Sequence, residues 1–307
     1  MGLASASVDL VRLKGGTILK VVVLIRNTVD CRVPLPPGPY GEVPLPEGMA
    51  TIFNPADWQA LEQGLGLFDS NDRHQVTAIS LGGPEAEESL RWCLAAGAQE
   101  ALRIWDDDLA GADELGRGRA LAAAVLNLKP DLLLCGDGCL DQLNSMLPGV
   151  IAAGSGMAYV PGVTILEKVE EGRAQVVRRL GKGRRARMIV KLPAVLALES
   201  QGDISPCAAG LPELVAAFTS TVPCLDLAGL GLAAEWCGSR GAKIHSITVK
   251  APVPVTVGLA SPDSRLPAEQ RIRQILAGAQ MRKQGEVVTG TPEELAEKIY
   301  QFIRANL

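Results

Sequence analysis

The residues best able to do chemistry in this sequence are its seven cysteines and two histidines. Their spacing argues against most of what they could do. Cys31, Cys93, Cys135, Cys139, Cys207, Cys224 and Cys237 contain no CxxC pair, and the tightest spacing, Cys135 to Cys139, flanks a glycine turn. Zinc and iron–sulfur sites want thiolates clustered at short, repeated spacing. No metal site is therefore expected, and the thiols read as reduced, mostly buried side chains of a cytosolic protein. His74 and His245 belong to neither a GxSxG elbow nor an HExxH helix, so no catalytic residue is assigned. His74 follows Asp72-Arg73 ahead of an apolar run and reads as surface. The basic run Arg178, Arg179, Lys182, Arg184, Arg185 and Arg187 could hold an acidic partner or a phosphate. A solvated hairpin tip is the commoner origin of such a pattern. Trp58 and Trp92, both in helical segments, read as core or interface.

Any site here must be held by strands and helices, and these are legible. Ile18 to Ile25, ILKVVVLI, is an apolar β-branched run and predicts a buried central strand. A Pro/Gly-rich loop follows from Val33 to Gly48. Asn54-Pro55-Ala56-Asp57 combines a cap candidate, a first-turn proline and an acid at the positive dipole end, and starts a helix reaching about Leu67. Val76 to Leu81 is the next strand, Glu85 to Ala96 a helix, Ala101 to Trp105 a strand, Leu115 to Leu128 a helix, and Leu132 to Cys135 a strand ending at Gly136. This alternation predicts an α/β fold with a Rossmann-like, doubly wound parallel sheet. In such sheets ligands sit beyond the carboxyl ends of the strands, here Arg26 to Asp30, Gly82 to Pro84 and Gly136 to Asp141.

From Val163 the pattern changes to a small antiparallel meander, with strands at Val163–Val169, Gln175–Leu180 and Arg187–Leu192, followed by a strand at Val195–Glu199. A loop from Gly202 to Gly210 leads into a short helix, Leu211 to Phe218. Ala251 to Pro267 carries four prolines and reads as an extended arm. Thr291-Pro292-Glu293-Glu294 is a capping box opening an amphipathic helix with Leu295, Ile299, Phe302 and Ile303 on one side.

Composition agrees with a globular protein, at 47 % hydrophobic and 21 % charged residues, and the 4 % aromatic content implies an aliphatic core. A net charge of −4 gives no reason to expect nucleic acid as a partner. No apolar run reaches the ~20 residues of a membrane span, and Met1 to Thr17 lacks a signal-peptide pattern. A soluble, cytoplasmic protein is expected.

Several segments, in order, resemble a known family. KVVVLIRNTVD resembles an opening strand ending in a basic residue and then an aspartate. FNPADWQALEQG resembles MNPFDEIALEEA, and AISLGGPEAEESLRWCLAAGAQEAL resembles a strand–helix unit ending in MGAD. PDLLLCGDGCLD resembles PDLVLLGKQAID, and VKLPAVLAL resembles LKLPAVVTT. CGSRGAKIHSITV and GEVVTGTPEELAEKI resemble the C-terminal region of the family's longer, electron-bifurcating members. The family is that of the electron-transfer flavoprotein β subunits, and the resemblance covers Lys20 to Leu307.

That resemblance implies an adenine-nucleotide-binding type of sheet over residues 20–225, an N-terminal extension over 1–19, and a C-terminal arm and helix over 226–307 that pack on a partner subunit. It implies a heterodimer with an α subunit that holds most of an FAD, with AMP or a second FAD in this chain. Such a complex passes electrons between flavin- or NADH-linked dehydrogenases and an acceptor, with a flavin dehydrogenase or a membrane or iron–sulfur oxidoreductase as redox partner. The chain would be an electron-carrier subunit rather than a stand-alone enzyme, which suits its lack of acid–base constellations. The alternative is a non-redox adenine-nucleotide-binding module.

The nucleotide positions implied are Leu24, Asn54, Leu81 and the loop Gly136 to Leu147, within which Gly136, Asp141, Asn144 and Ser145 are the candidates. A glycine there lets backbone approach a phosphate, and the following amides can bind it without a lysine. Asn54 reads equally as a plain helix cap, and Asp141 as a turn residue. The loop departs from the family's polar pattern at Leu143, Met146 and Leu147. Leu211 matches a partner-docking leucine, although the lysines that follow it in the family are replaced by Ala216-Ala217-Phe218-Thr219. Packing of Leu211 under its own helix is the competing reading.

Overall fold

Among the described residues nine strands form one mostly parallel sheet and two more form a small sheet of their own. The computed structural model describes residues 18–32, 51–67, 74–141, 145–200, 209–244, 265–276 and 289–306. They fall into two compact units, residues 1–250 and 251–307. The segments Val33–Gly48 and 1–17, Asn144, Cys207, His245 and most of the proline-rich arm lie outside the described residues.

In the first unit the central strand β1 (Leu19–Ile25) pairs in parallel with β4 (His74–Leu81) on one side and β6 (Leu132–Gly136) on the other. Beyond them lie β5 (Glu100–Ile104) and β10 (Ala194–Leu198), also parallel. The order β5-β4-β1-β6-β10 is that of a doubly wound sheet, and the direction of winding reverses between β1 and β6. Two further strands, β2 (Asn27–Val29) and β3 (Thr51–Phe53), form a small antiparallel sheet of their own beside the end of β1.

Alternation along β1 divides the core. Val21, Val23 and Ile25 pack on one face with Trp58 and Leu61 of α1 (Pro55–Gly66) and Leu90 and Cys93 of α2 (Ala86–Ala95). Val22 and Leu24 pack on the other with Leu121 and Val125 of α3 (Glu114–Leu128) and Ile151 of α4 (Leu147–Ser155). Buried on both faces, the strand reads as a continuous apolar run.

Helix α4 is the element the sequence concealed. It lies in a segment with Pro148, Gly149 and Gly154, which reads as loop. Two glycines explain it: a Cβ on Gly118 of α3 would stand 2.4 Å from Val150 Cγ1, and one on Gly154 would stand 2.7 Å from Ala122 Cβ. Tertiary contact between α3 and α4 overrides the weak propensity.

The meander is not a separate layer. β7 (Ala158–Glu170) starts earlier than its β-branched run suggests, pairs in parallel with β10 through Val163, and then pairs antiparallel with β8 (Arg173–Gly181). β9 (Arg184–Lys191) completes the edge. The basic residues Arg179, Lys182, Arg184, Arg185 and Arg187 lie exposed on this hairpin, with Arg178 half-buried. Arg187 pairs with Glu167, and Arg179 with Glu199.

α5 (Leu211–Thr219) packs beside α2, where Phe218 meets Trp92 edge-on at 5.4 Å. The short β11 (Cys224–Leu225) then extends the opposite edge. Leu227, Leu230 and Cys237 bury themselves on the α3 face. Asp113 fastens the end of this segment, accepting bonds from the amides of Lys243 (2.7 Å) and Ile244 (3.1 Å) while it caps α3 through Gly116 N.

In the second unit, α6 (Ala268–Leu276) precedes α7 (Pro292–Asn306). The expected capping box is made: Thr291 N donates to Glu294 Oε2 (3.0 Å) and Glu294 N to Thr291 Oγ1 (3.3 Å). Ile299, Phe302 and Ile303 are half or more exposed. No helix of the described residues is long and apolar enough to cross a membrane.

Candidate functional site

The carboxyl ends of β1 and β6 meet around one fully buried carboxylate. Proline at the first turn of α1 places Asp57 over the end of β1 with its side chain inaccessible. Asp57 accepts from the Arg26 amide (3.0 Å), from Arg26 Nε (3.0 Å) and Nη2 (3.1 Å), and from the Gly136 amide (2.6 Å). Arg26 Nη2 also donates to the carbonyls of Gly136 and Gly138, and Nη1 to Ser145 Oγ. Burial opposes the guanidinium charge, but the Asp57 carboxylate more than offsets it and holds the Arg26 pKa above its ordinary value. One ion pair thus ties β1, α1 and the β6 loop together.

Gly136 is required by this arrangement. A Cβ there would stand 2.6 Å from Ala56 Cβ and 2.7 Å from Asp57 Oδ1. The close approach that the glycine permits is therefore to α1. Asn54 sits at the N-cap of α1 but makes no side-chain cap; its Nδ2 instead donates to Gly138 O at 2.9 Å.

Beyond the ion pair opens a cleft of about 160 Å³. Leu24, Leu81, Leu121 and Leu147 give it an apolar lining, and Arg26, Glu114, Arg117 and Asp141 a polar one. Of the positions expected from the sequence, Leu24, Leu81 and Asp141 line it, Asn54 and Gly136 stand behind it in the loop, and Asn144 is outside the described residues. Asp141 is engaged with β2: its carboxylate accepts from Val29 N (3.4 Å) and its amide donates to Thr28 Oγ1 (3.3 Å). Ser145 Oγ donates to Glu114 Oε1 (3.0 Å), and Met146 N donates to Glu114 Oε2 (2.8 Å). Leu147 is buried, whereas Met146 points outward at 52 % exposure.

Cys139 also lines the cleft. Burial pushes its thiol up to about 12, against the opposing pull of Arg26 and with nearby carboxylates adding to it. Cys93, Cys135 and Cys237 are buried, but Cys31 and Cys224 are exposed, so burial is less general than the composition suggested. Among the described residues no three His, Cys, Asp or Glu side chains converge as a metal site would require. His74 opens β4, half-buried.

Arg26, Asp57 and Glu114 are the site residues that sequence reasoning missed. Asp57 reads as a helix-dipole acid and Arg26 as the polar end of a strand, and only the sheet brings them together. Leu211, 74 % exposed at the first position of α5, does not pack under its own helix; Val215 and Phe218 on the same helix are exposed at 56 % and 42 %.

The sequence pattern of the electron transfer flavoprotein domain matches residues 46–208. The β subunit of an electron transfer flavoprotein from Clostridium acetobutylicum is 33 % identical over 194 residues, covering 61 % of this chain and 73 % of that protein. The chain belongs to the electron-transfer flavoprotein β-subunit family. Other relatives are subunit CarD of the caffeyl-CoA reductase-Etf complex of Acetobacterium woodii, 32 % identical over 62 % of this chain and 72 % of that protein, and protein FixA of Azorhizobium caulinodans, 33 % identical over 52 % and 58 %.

Membership carries an electron-transfer role and a general association with flavin. The match begins just before β3 and ends after β10, so it contains α1 with Asp57, the loop after β6 and Glu114, while β1 with Arg26 precedes it. The loop of residues 136–145 expected to meet a nucleotide's phosphates is described except for 142–144. At its end the hydroxyl of Ser145 and the amide of Met146 already bind the Glu114 carboxylate, which leaves these two groups unfit to hold a phosphate.

Proposed function

We propose that this chain is the β subunit of a heterodimer whose α subunit holds the FAD, and that the pair shuttles electrons between a flavin- or NADH-linked dehydrogenase and an acceptor. The observation carrying this reading is the similarity to electron transfer flavoprotein β subunits and to CarD across most of those proteins' length. The exposed apolar residues Ile299 and Ile303 of α7 support it, because an amphipathic helix with exposed apolar side chains suits a partner's surface. The flavin supplies the redox chemistry, and this chain supplies shape and electrostatics around it.

Leu211 is the docking residue in this reading. A single leucine 74 % exposed contributes about 1.5–3 kcal/mol when buried on a partner, enough for a specific but transient contact. The bifurcating arrangement, with a second FAD in this chain, is less supported, because its diphosphate would meet Glu114. The cytoplasm suits the proposed soluble dehydrogenase partners.

The test is co-expression with a flavin-bearing α subunit, followed by purification on a tag carried by this chain. Co-elution with about one FAD per heterodimer, reducible by a dehydrogenase, is the expected result. A chain that elutes alone, without flavin, would instead favour the non-redox nucleotide-binding module.

A further inference from the structure

We infer that Glu114 is a built-in substitute for a ligand phosphate, so that the cleft gains no affinity from the phosphate of a nucleotide. This rests on the reading of the cleft as the nucleotide site of the fold. The turn before α4 has the parts of an anion cradle: the Met146 amide at the N-cap, the Ser145 hydroxyl, and the positive end of a nine-residue helix. The structure fills that cradle from within. Glu114, the first residue of α3, places one carboxylate oxygen on Met146 N at 2.8 Å and the other on Ser145 Oγ at 3.0 Å.

The rest of the network is committed around it. Ser145 Oγ also accepts from Arg26 Nη1 (3.2 Å) and from Leu147 N (3.3 Å), so each of its bonds to the cradle is already used. Arg26, which lines the cleft with Arg117, is paired with Asp57 and also donates to the Gly136 and Gly138 carbonyls. A phosphate entering here would find these two hydrogen-bond donors already bound to Glu114 and would face its charge, so it adds no net affinity. Leu24, Leu81, Leu121 and Leu147 remain available to an uncharged, flat ligand. The cleft therefore gains nothing from a ligand's phosphate: it takes a nucleoside as readily as the nucleotide.

The inference is tested with the full chain and three probes: inorganic phosphate, AMP and adenosine. Binding is measured by calorimetry on wild type, Glu114→Gln and Glu114→Ala, with circular dichroism to verify folding. The glutamine variant keeps the side-chain shape if alanine loosens the α3–α4 contact. Wild type should show no preference for AMP over adenosine and no response to phosphate. At least one folded variant should bind AMP about tenfold or more tighter than adenosine, and should bind phosphate, a gain of about 1.4 kcal/mol or more. A wild type that prefers AMP tenfold overturns the inference, as do folded variants that gain no phosphate or AMP binding. Neither result bears on co-elution with a flavin-bearing subunit, so the two readings fail separately.

Discussion

Replacing Asp57 by alanine should be among the most damaging single changes to this fold. The carboxylate is inaccessible and receives four donors: two from the Arg26 guanidinium, one from the Arg26 amide and one from the Gly136 amide. Removing one partner of a buried ion pair costs about 3–5 kcal/mol, and each orphaned amide adds about 1–3 kcal/mol. The Arg26 side chain retains 13 % exposure, so water reaching it offsets part of this. The expected loss is therefore about 5 kcal/mol or more, a large share of the roughly 5–15 kcal/mol that holds a domain folded. Arg26→Ala should cost about 3–5 kcal/mol, because it leaves the inaccessible Asp57 carboxylate without its counter-charge and with only two amide donors. The double variant should lose much less than the sum, since each change removes the group that the other leaves unpaired. Urea denaturation followed by circular dichroism measures all three. A loss below about 1 kcal/mol for Asp57→Ala, or strict additivity, would refute the reasoning.

Gly118→Val should destabilise by at least the roughly 1–3 kcal/mol typical of overpacking, seen as a lowered Tm, because even its Cβ would stand 2.4 Å from Val150 Cγ1. Asp113→Ala should cost about 1 kcal/mol through its lost cap on α3 and should speed proteolysis near Lys243 and Ile244. Burial raises the Asp113 pKa, but the amide bonds from Gly116, Lys243 and Ile244 outweigh it, and the folded value lies below the ordinary one. The stability advantage of wild type over Asp113→Ala should thus be complete above the unfolded carboxylate pKa of about 3.9 and disappear as pH falls through the folded value. Cys139 should alkylate with iodoacetamide far more slowly at pH 7 than Cys31 or Cys224, as read by peptide mass spectrometry, because its thiol is pushed up to about 12. Leu211→Ala should leave Tm unchanged and weaken electron transfer to the partner about tenfold; normal transfer, or a lowered Tm, would contradict a docking role.

The sequence by itself determined the layered α/β architecture. ILKVVVLI, VTAISL and LLLC are aliphatic runs bounded by glycine or polar residues, and a strand covered on both faces has no other pattern available to it. Helix α1 was legible from Asn54-Pro55-Ala56-Asp57, and α7 from its capping box, because caps and prolines act within one turn. The cleft was legible as a place, since strand ends and the reversal of winding follow from the order of elements.

What the cleft holds was decided only in three dimensions. The Arg26–Asp57 pair joins residues 31 positions apart, and Arg26 reaches Ser145 across 119. Neither spacing has a local signature. Helix α4 forms despite its glycines because those glycines let it lie close against α3, a gain that no local propensity contains. Glu114 precedes the helix expected from Leu115, and only packing brings α4 alongside it. The covalent neighbourhood of a residue fixes its preferred backbone, but the partners of a buried charge are chosen by packing, and here packing set the Glu114 carboxylate on the Ser145 hydroxyl and the Met146 amide.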